Sequence, residues 1–174
     1  MSSLTLLRHA PLPSVYHRRY NGWSDLPIDP TLVDSQQLNR LRRTLTVDRI
    51  YSSDLVRCQQ TVELLFGKDC SFVATPALRE VRFREEIEGK LFAEVEKLPS
   101  FNRAYLESQS RWHAYLCDES EEDFYRRLDH LLSGVPRGED LLFCTHAGTI
   151  GGILKCLGQP ARSLGYLESI TLSI

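Results

Sequence analysis

Four short stretches of this 174-residue chain hold groups that could act together on an anion. They are Arg8–His9 in SLTLLRHAPLP, Arg57 in SSDLVRCQQT, Glu80 in LRE and His146 in THAG. A guanidinium presents a rigid fork of donors matched to phosphate or carboxylate oxygens. A neutral imidazole can attack an electrophile, and a carboxyl can give or take a proton. Taken singly these groups are commonplace. The chain has 17 arginines and 5 histidines, so an Arg-His pair arises by chance roughly half the time. What matters is whether the fold gathers them.

The elements around them are legible. Residues 3–8 read as a buried strand, short and leucine-rich, ended by a breaker. Ser35–Leu45 carries apolar residues at 38, 41 and 45, a helical stripe. RIYSSD (49–54) is a second strand, with Ser53 or Asp54 expected to cap a helix whose buried stripe is Leu55, Cys58, Val62 and Leu65. SFVATPAL (71–78) is a third strand, broken by Pro76. In 81–118 charged and aromatic residues are mixed, and Phe101, Tyr105 and Trp112 suggest at least one helix. Ser120 and Asp123 form a capping pattern ahead of a helix with Phe124, Leu128 and Leu131 on one face. DLLFCTH (140–146) is a fourth strand, followed by a helix bearing Ile150, Ile153, Leu154 and Leu157, and SITLSI closes the chain as a half-exposed strand. Alternating strands and helices predict an α/β three-layer sandwich: a mainly parallel central sheet with helices on both faces. Ligands bind such sheets beyond the carboxyl ends of the strands, where Arg8, His9, Arg57 and His146 all fall.

Bulk properties narrow the classes. The length suits one domain spanning 1–174 that buries roughly 70% of its unfolded surface. A net charge of −2 with 25% charged residues offers no electrostatic reason to expect nucleic acid or a membrane as partner. Met1–Leu7 is too short to be a secretory signal. Five scattered cysteines without a Cys-x-x-Cys pair read as reduced thiols, hence a cytoplasmic protein, and not as a zinc site.

The four stretches, in this order and context, resemble the histidine phosphatase superfamily, also called phosphoglycerate mutase-like, from Leu4 to about Leu157. GWSDLP (22–27) is similar to a segment of short α-ribazole phosphatase-like members. The resemblance implies that His9 is the nucleophile and forms a phosphohistidine, with the neighbouring arginine cation keeping it neutral. Arg8, Arg57 and His146 would surround the equatorial oxygens, helped by the helix N-terminus near Ala147 and Gly148. Glu80 would protonate the departing oxygen and then activate water, its carboxyl kept protonated by the nearby phosphate dianion. No metal and no cofactor are needed. The implied partner is a small phosphorylated metabolite, α-ribazole 5′-phosphate being the most specific candidate, and the protein would be a monomer or homodimer.

No Asp-x-Asp phosphorylation motif is present, and of the five cysteines only Cys156 has an arginine, Arg162, six residues on. Six residues beyond Cys58, Cys117 and Cys144 stand Leu64, Asp123 and Ile150, where a cysteine phosphatase needs arginine. The chain also departs from the family. Ala10 replaces the usual glycine, Pro11–Val15 lack the acidic and asparagine positions common in mutases, and FREEIEG follows Glu80 without the usual tryptophan. Arg18, Arg19, Arg82 and Arg84 are candidates for the substrate entrance. Competing readings are a mutase, a protein phosphohistidine phosphatase, which LRE weighs against, and a catalytically silent phosphate-binding module.

Overall fold

A computed structural model describes residues 2–174. Five strands, β1 (Ser3–Arg8), β2 (Arg49–Ser53), β3 (Val73–Thr75), β4 (Leu141–Thr145) and β5 (Ser169–Ser173), form one sheet in the order β3-β2-β4-β1-β5. The first four are parallel and β5 runs antiparallel along β1. The helices are α1 (Ser35–Thr44), α2 (Val56–Phe66), α3 (Phe92–Val95), α4 (Gln109–Leu116), α5 (Glu121–Gly134) and α6 (Ala147–Cys156). Strand alternation sorts the core into two layers. Leu4 and Leu6 of β1 and Leu141 and Phe143 of β4 pack with α5 and α6, while Leu7, Leu142 and Cys144 pack with α1 and α2. The sheet is therefore covered on both faces, the three-layer arrangement expected from the sequence. No helix of the described residues is long and apolar enough to cross a membrane.

Two expectations are corrected, and the helix expected within 81–118 is found. The third strand is shorter than 71–78, because Pro76 opens a 3-10 turn over Pro76–Leu78. Neither Ser53 nor Asp54 is the N-cap of α2; Leu55 holds that position, and the Val56 amide donates instead to Asp25 Oδ1 (2.7 Å) from a distant loop. Asp54 is engaged elsewhere, in a two-pronged pair with Arg79 (2.7 Å each). Within 81–118 only Trp112 of the three aromatics lies in an α-helix, α4. Tyr105 sits in a 3-10 turn and Phe101 in a loop. The segment is held by an aromatic cluster in which Trp112 meets Tyr20, Phe92, Phe101 and Tyr115. At the start of α5, Ser120 Oγ accepts from the Asp123 amide (3.1 Å), as its capping pattern predicts.

Candidate active site

Register brings the two histidines together. Arg8 pairs with Thr145 at the ends of adjacent parallel strands, and the His9 amide continues that ladder onto the Thr145 carbonyl (3.0 Å). His9 and His146 thus each stand one residue past a strand end, with ring centroids 5.2 Å apart. His9 is 5% exposed. Its Nδ1 lies 2.8 Å from the Ala10 carbonyl oxygen; a carbonyl only accepts, so Nδ1 carries the proton and the lone pair is left on Nε2. Burial, and then the Arg57 cation, push the His9 pKa well below 6.5. Arg8 contributes less than Arg57, so the neutrality expected from the adjacent arginine comes mainly from burial and from the more distant cation.

Arg57, in the first turn of α2, is 1% exposed. Its guanidinium donates to the Ser24 carbonyl (2.7 Å), the Gly22 carbonyl (2.7 Å) and His146 Nδ1 (3.1 Å). His146 Nε2 meets Ser53 Oγ at 2.9 Å. With Nδ1 accepting, Nε2 is the protonated nitrogen and donates to Ser53. Burial first and Arg57 second also hold His146 well below the usual imidazole range. Arg8 lies with its guanidinium 4.2 Å from the Tyr166 ring centroid and donates from Nη1 to the Leu164 carbonyl (2.7 Å), while its Nε is buried with no partner among the described residues. That orphan donor is costly in a dry interior and suits an anion.

Glu80 is 9% exposed. Its Oε1 accepts from the Val81 amide (3.0 Å) and its Oε2 from the Gly148 amide (2.9 Å). One of the two α6 amides expected to face phosphate is therefore given to Glu80, and Ala147 remains at the cleft wall. The cleft, of about 190 Å3, is lined by Arg8, His9, Arg57, Glu80, His146 and Ala147 together with Arg18 and Arg19. Arg19 is tied down by the Val15 and Gly89 carbonyls and by Glu94. Arg18 is exposed at the wall, with a left-handed φ of 61°. The entrance expectation fails for Arg84, which lies outside this cleft and donates to the Ala114 carbonyl (2.9 Å), and Arg82 stacks on Trp23.

Several contributors had no motif to announce them. Tyr16, Tyr20, Phe83 and Tyr166 supply aromatic walls. GWSDLP does not line the cleft. It acts as a brace: Gly22 and Ser24 receive Arg57, Asp25 receives the start of α2, and the Trp23 indole donates to the Glu80 carbonyl (2.8 Å). Gly22 is packed so closely that a Cβ there would lie 2.7 Å from the Val81 carbonyl. Glu88, from the divergent FREEIEG, closes the brace by accepting from Gly22 N, Ser24 N and Ser24 Oγ (2.9, 3.1 and 2.6 Å).

Comparison with known proteins places the chain in a family. The model of the histidine phosphatase superfamily (branch 1) matches residues 4–173. The broad-specificity phosphatase YOR283W of Saccharomyces cerevisiae is 26% identical, over 97% of this chain and 77% of its own. Among solved structures, TTHB049 from Thermus thermophilus superposes with a TM-score of 0.76 at 27% identity, covering 98% of this chain and 92% of that one. The α-ribazole phosphatase from Shigella flexneri shares the fold, with a TM-score of 0.80 at 18% identity over 99% and 90% of the two chains. The chain belongs to the histidine phosphatase superfamily, branch 1, and is an enzyme of the phosphatase type.

Proposed function

We propose that the protein is a metal-independent phosphomonoesterase acting on a compact phosphorylated metabolite through a phosphohistidine on His9. The observation that carries this is the state of His9: buried, neutral, protonated on Nδ1 by its bond to the Ala10 carbonyl, and so presenting a lone pair on Nε2. In the first step Nε2 attacks phosphorus, the bond from phosphorus to the ester oxygen breaks, and that oxygen takes a proton from the Glu80 carboxyl. In the second step water attacks the phosphohistidine, Glu80 takes the water proton, and the N–P bond breaks to release inorganic phosphate and restore the lone pair. Arg8 and Arg57 supply the positive charge that stabilises the transferring group, and the Ala147 amide adds the helix N-terminus.

The cleft of about 190 Å3 is below the roughly 300 Å3 at which pockets for drug-sized ligands begin, which favours a small leaving group. A nucleotide-like ester such as α-ribazole 5′-phosphate would have to project beyond it, and the GWSDLP segment offers no contact for reading it. Hydrolysis of p-nitrophenyl phosphate with EDTA present tests the reading, with His9→Ala as the control. The wild type should release inorganic phosphate, and His9→Ala should lose at least about 1,000-fold; a phosphorylated diol that yields inorganic phosphate and no positional isomer separates hydrolysis from a mutase. A purified wild type that is inactive at every pH excludes the phosphatase reading, and abolition by EDTA excludes the metal-free mechanism. A size series of phosphorylated metabolites then ranks substrates.

A further inference from the structure

Glu80 lies two residues past the 3-10 turn Pro76–Leu78, and the four successive carbonyls of residues 77–80 are each held by a side chain from elsewhere in the fold. Arg127 Nη1 of α5 donates to Ala77 O (2.7 Å), Thr145 Oγ1 of β4 to Leu78 O (2.6 Å) and Thr149 Oγ1 of α6 to Arg79 O (2.7 Å). The Glu80 carbonyl accepts twice, from Trp23 Nε1 (2.8 Å) and from Arg127 Nη2 (3.2 Å). Arg127 is itself locked by Glu119, through Nε to Oε1 (2.5 Å) and Nη2 to Oε2 (2.9 Å), with both side chains largely buried. Trp23 is clasped by Arg79 and Arg82 over its ring. A planar guanidinium held in this fork leaves little freedom to whatever its remaining donors touch.

We infer that Arg127 and Trp23 are positioning residues for the proton transfer by Glu80, setting where its carboxyl lies through the carbonyl on the same residue. The inference rests on Glu80 being the acid proposed above. Neither residue lines the cleft, so each acts through Glu80 and not on substrate. General acid catalysis depends steeply on placement, and a shift of about 1 Å can cost about 100-fold.

The test compares an alkyl phosphate, whose alkoxide needs a proton to leave, with p-nitrophenyl phosphate, whose phenolate does not. The quantity is kcat/KM, which ends at departure of the alcohol and so excludes the later water attack. Arg127→Lys and Trp23→Phe should each lower the alkyl value by about 10-fold or more and the aryl value by less than about threefold, in the direction set by Glu80→Gln. A lesion that only loosens the fold lowers both substrates together, and that outcome overturns the inference. If Arg127→Lys does not fold, Trp23→Phe decides alone, since it keeps an aromatic ring for Arg79 and Arg82. If Glu80→Gln itself spares the alkyl ester, the acid reading fails and the inference with it. If Glu80→Gln is selective and the two positioning variants are not, the inference alone fails.

Discussion

Replacing Gly148 by alanine should separate chemistry from stability. Gly148 is the second residue of α6, and a Cβ there would lie 2.5 Å from Glu80 Oε1, 3.0 Å from Cδ and 3.2 Å from Oε2. Ordinary contact begins at 3.4 Å, so the carboxyl must retreat by about 0.9 Å. It cannot do so freely, because Oε1 is bonded to the Val81 amide and Oε2 to the Gly148 amide. A displacement of that size in a proton donor corresponds to about 100-fold, or about 2.7 kcal/mol of barrier. Alanine is meanwhile favoured over glycine in a helix by up to about 1 kcal/mol, which opposes the crowding. The melting temperature should therefore move by no more than about 4 °C. The assay is kcat/KM on an alkyl phosphate and on p-nitrophenyl phosphate, with a thermal melt alongside. Gly148→Ala that keeps full alkyl activity, or that loses both substrates equally, refutes the reasoning that Glu80 is held there to deliver a proton.

Two further outcomes follow from burial and placement. His9 and His146 are buried and neutral, with pKa values well below 6.5. Between the folded value and 6.5 the unfolded chain binds more protons, so stability is full above pH 6.5 and falls as pH drops toward the folded values, by about 1.4 kcal/mol per unit for each histidine. Urea unfolding at pH 7.5, 6.5 and 5.5 should show that loss, and His9→Asn should reduce its slope by about 1.4 kcal/mol per unit; equal slopes would mean that His9 titrates normally. At the entrance, Arg18→Ser should raise KM for substrates carrying a second negative charge, with kcat within about twofold, whereas Arg84→Ser should leave kinetics unchanged and stability within about 0.5 kcal/mol. Equal effects of the two substitutions on KM would contradict the placement of Arg84 outside the cleft.

The parts of this protein that sequence by itself determined are those governed by local periodicity. Residues 3–8 read as a buried strand ending at Arg8 and 140–146 as another reaching His146, and the observed strands are Ser3–Arg8 and Leu141–Thr145. Parallel strands then place their carboxyl ends on one edge, so the gathering of Arg8, His9, Arg57 and His146 was legible before any contact was known. Tertiary structure alone decided the rest. The neutrality of His9 comes chiefly from burial and from Arg57, a residue of another element, and less from its neighbour Arg8. GWSDLP, legible only as a family likeness, became the brace for Arg57, and Glu88 in a divergent segment became its clasp. Arg84, an arginine like Arg18, points its guanidinium to a helix carbonyl instead of the cleft. The carbonyls of 77–80 found their donors on α5, β4, α6 and the GWSDLP loop. Periodicity records which face of an element is buried, because burial repeats along the chain. A hydrogen bond between two loops repeats nowhere, and its partners are chosen only when the packed layers bring them within reach.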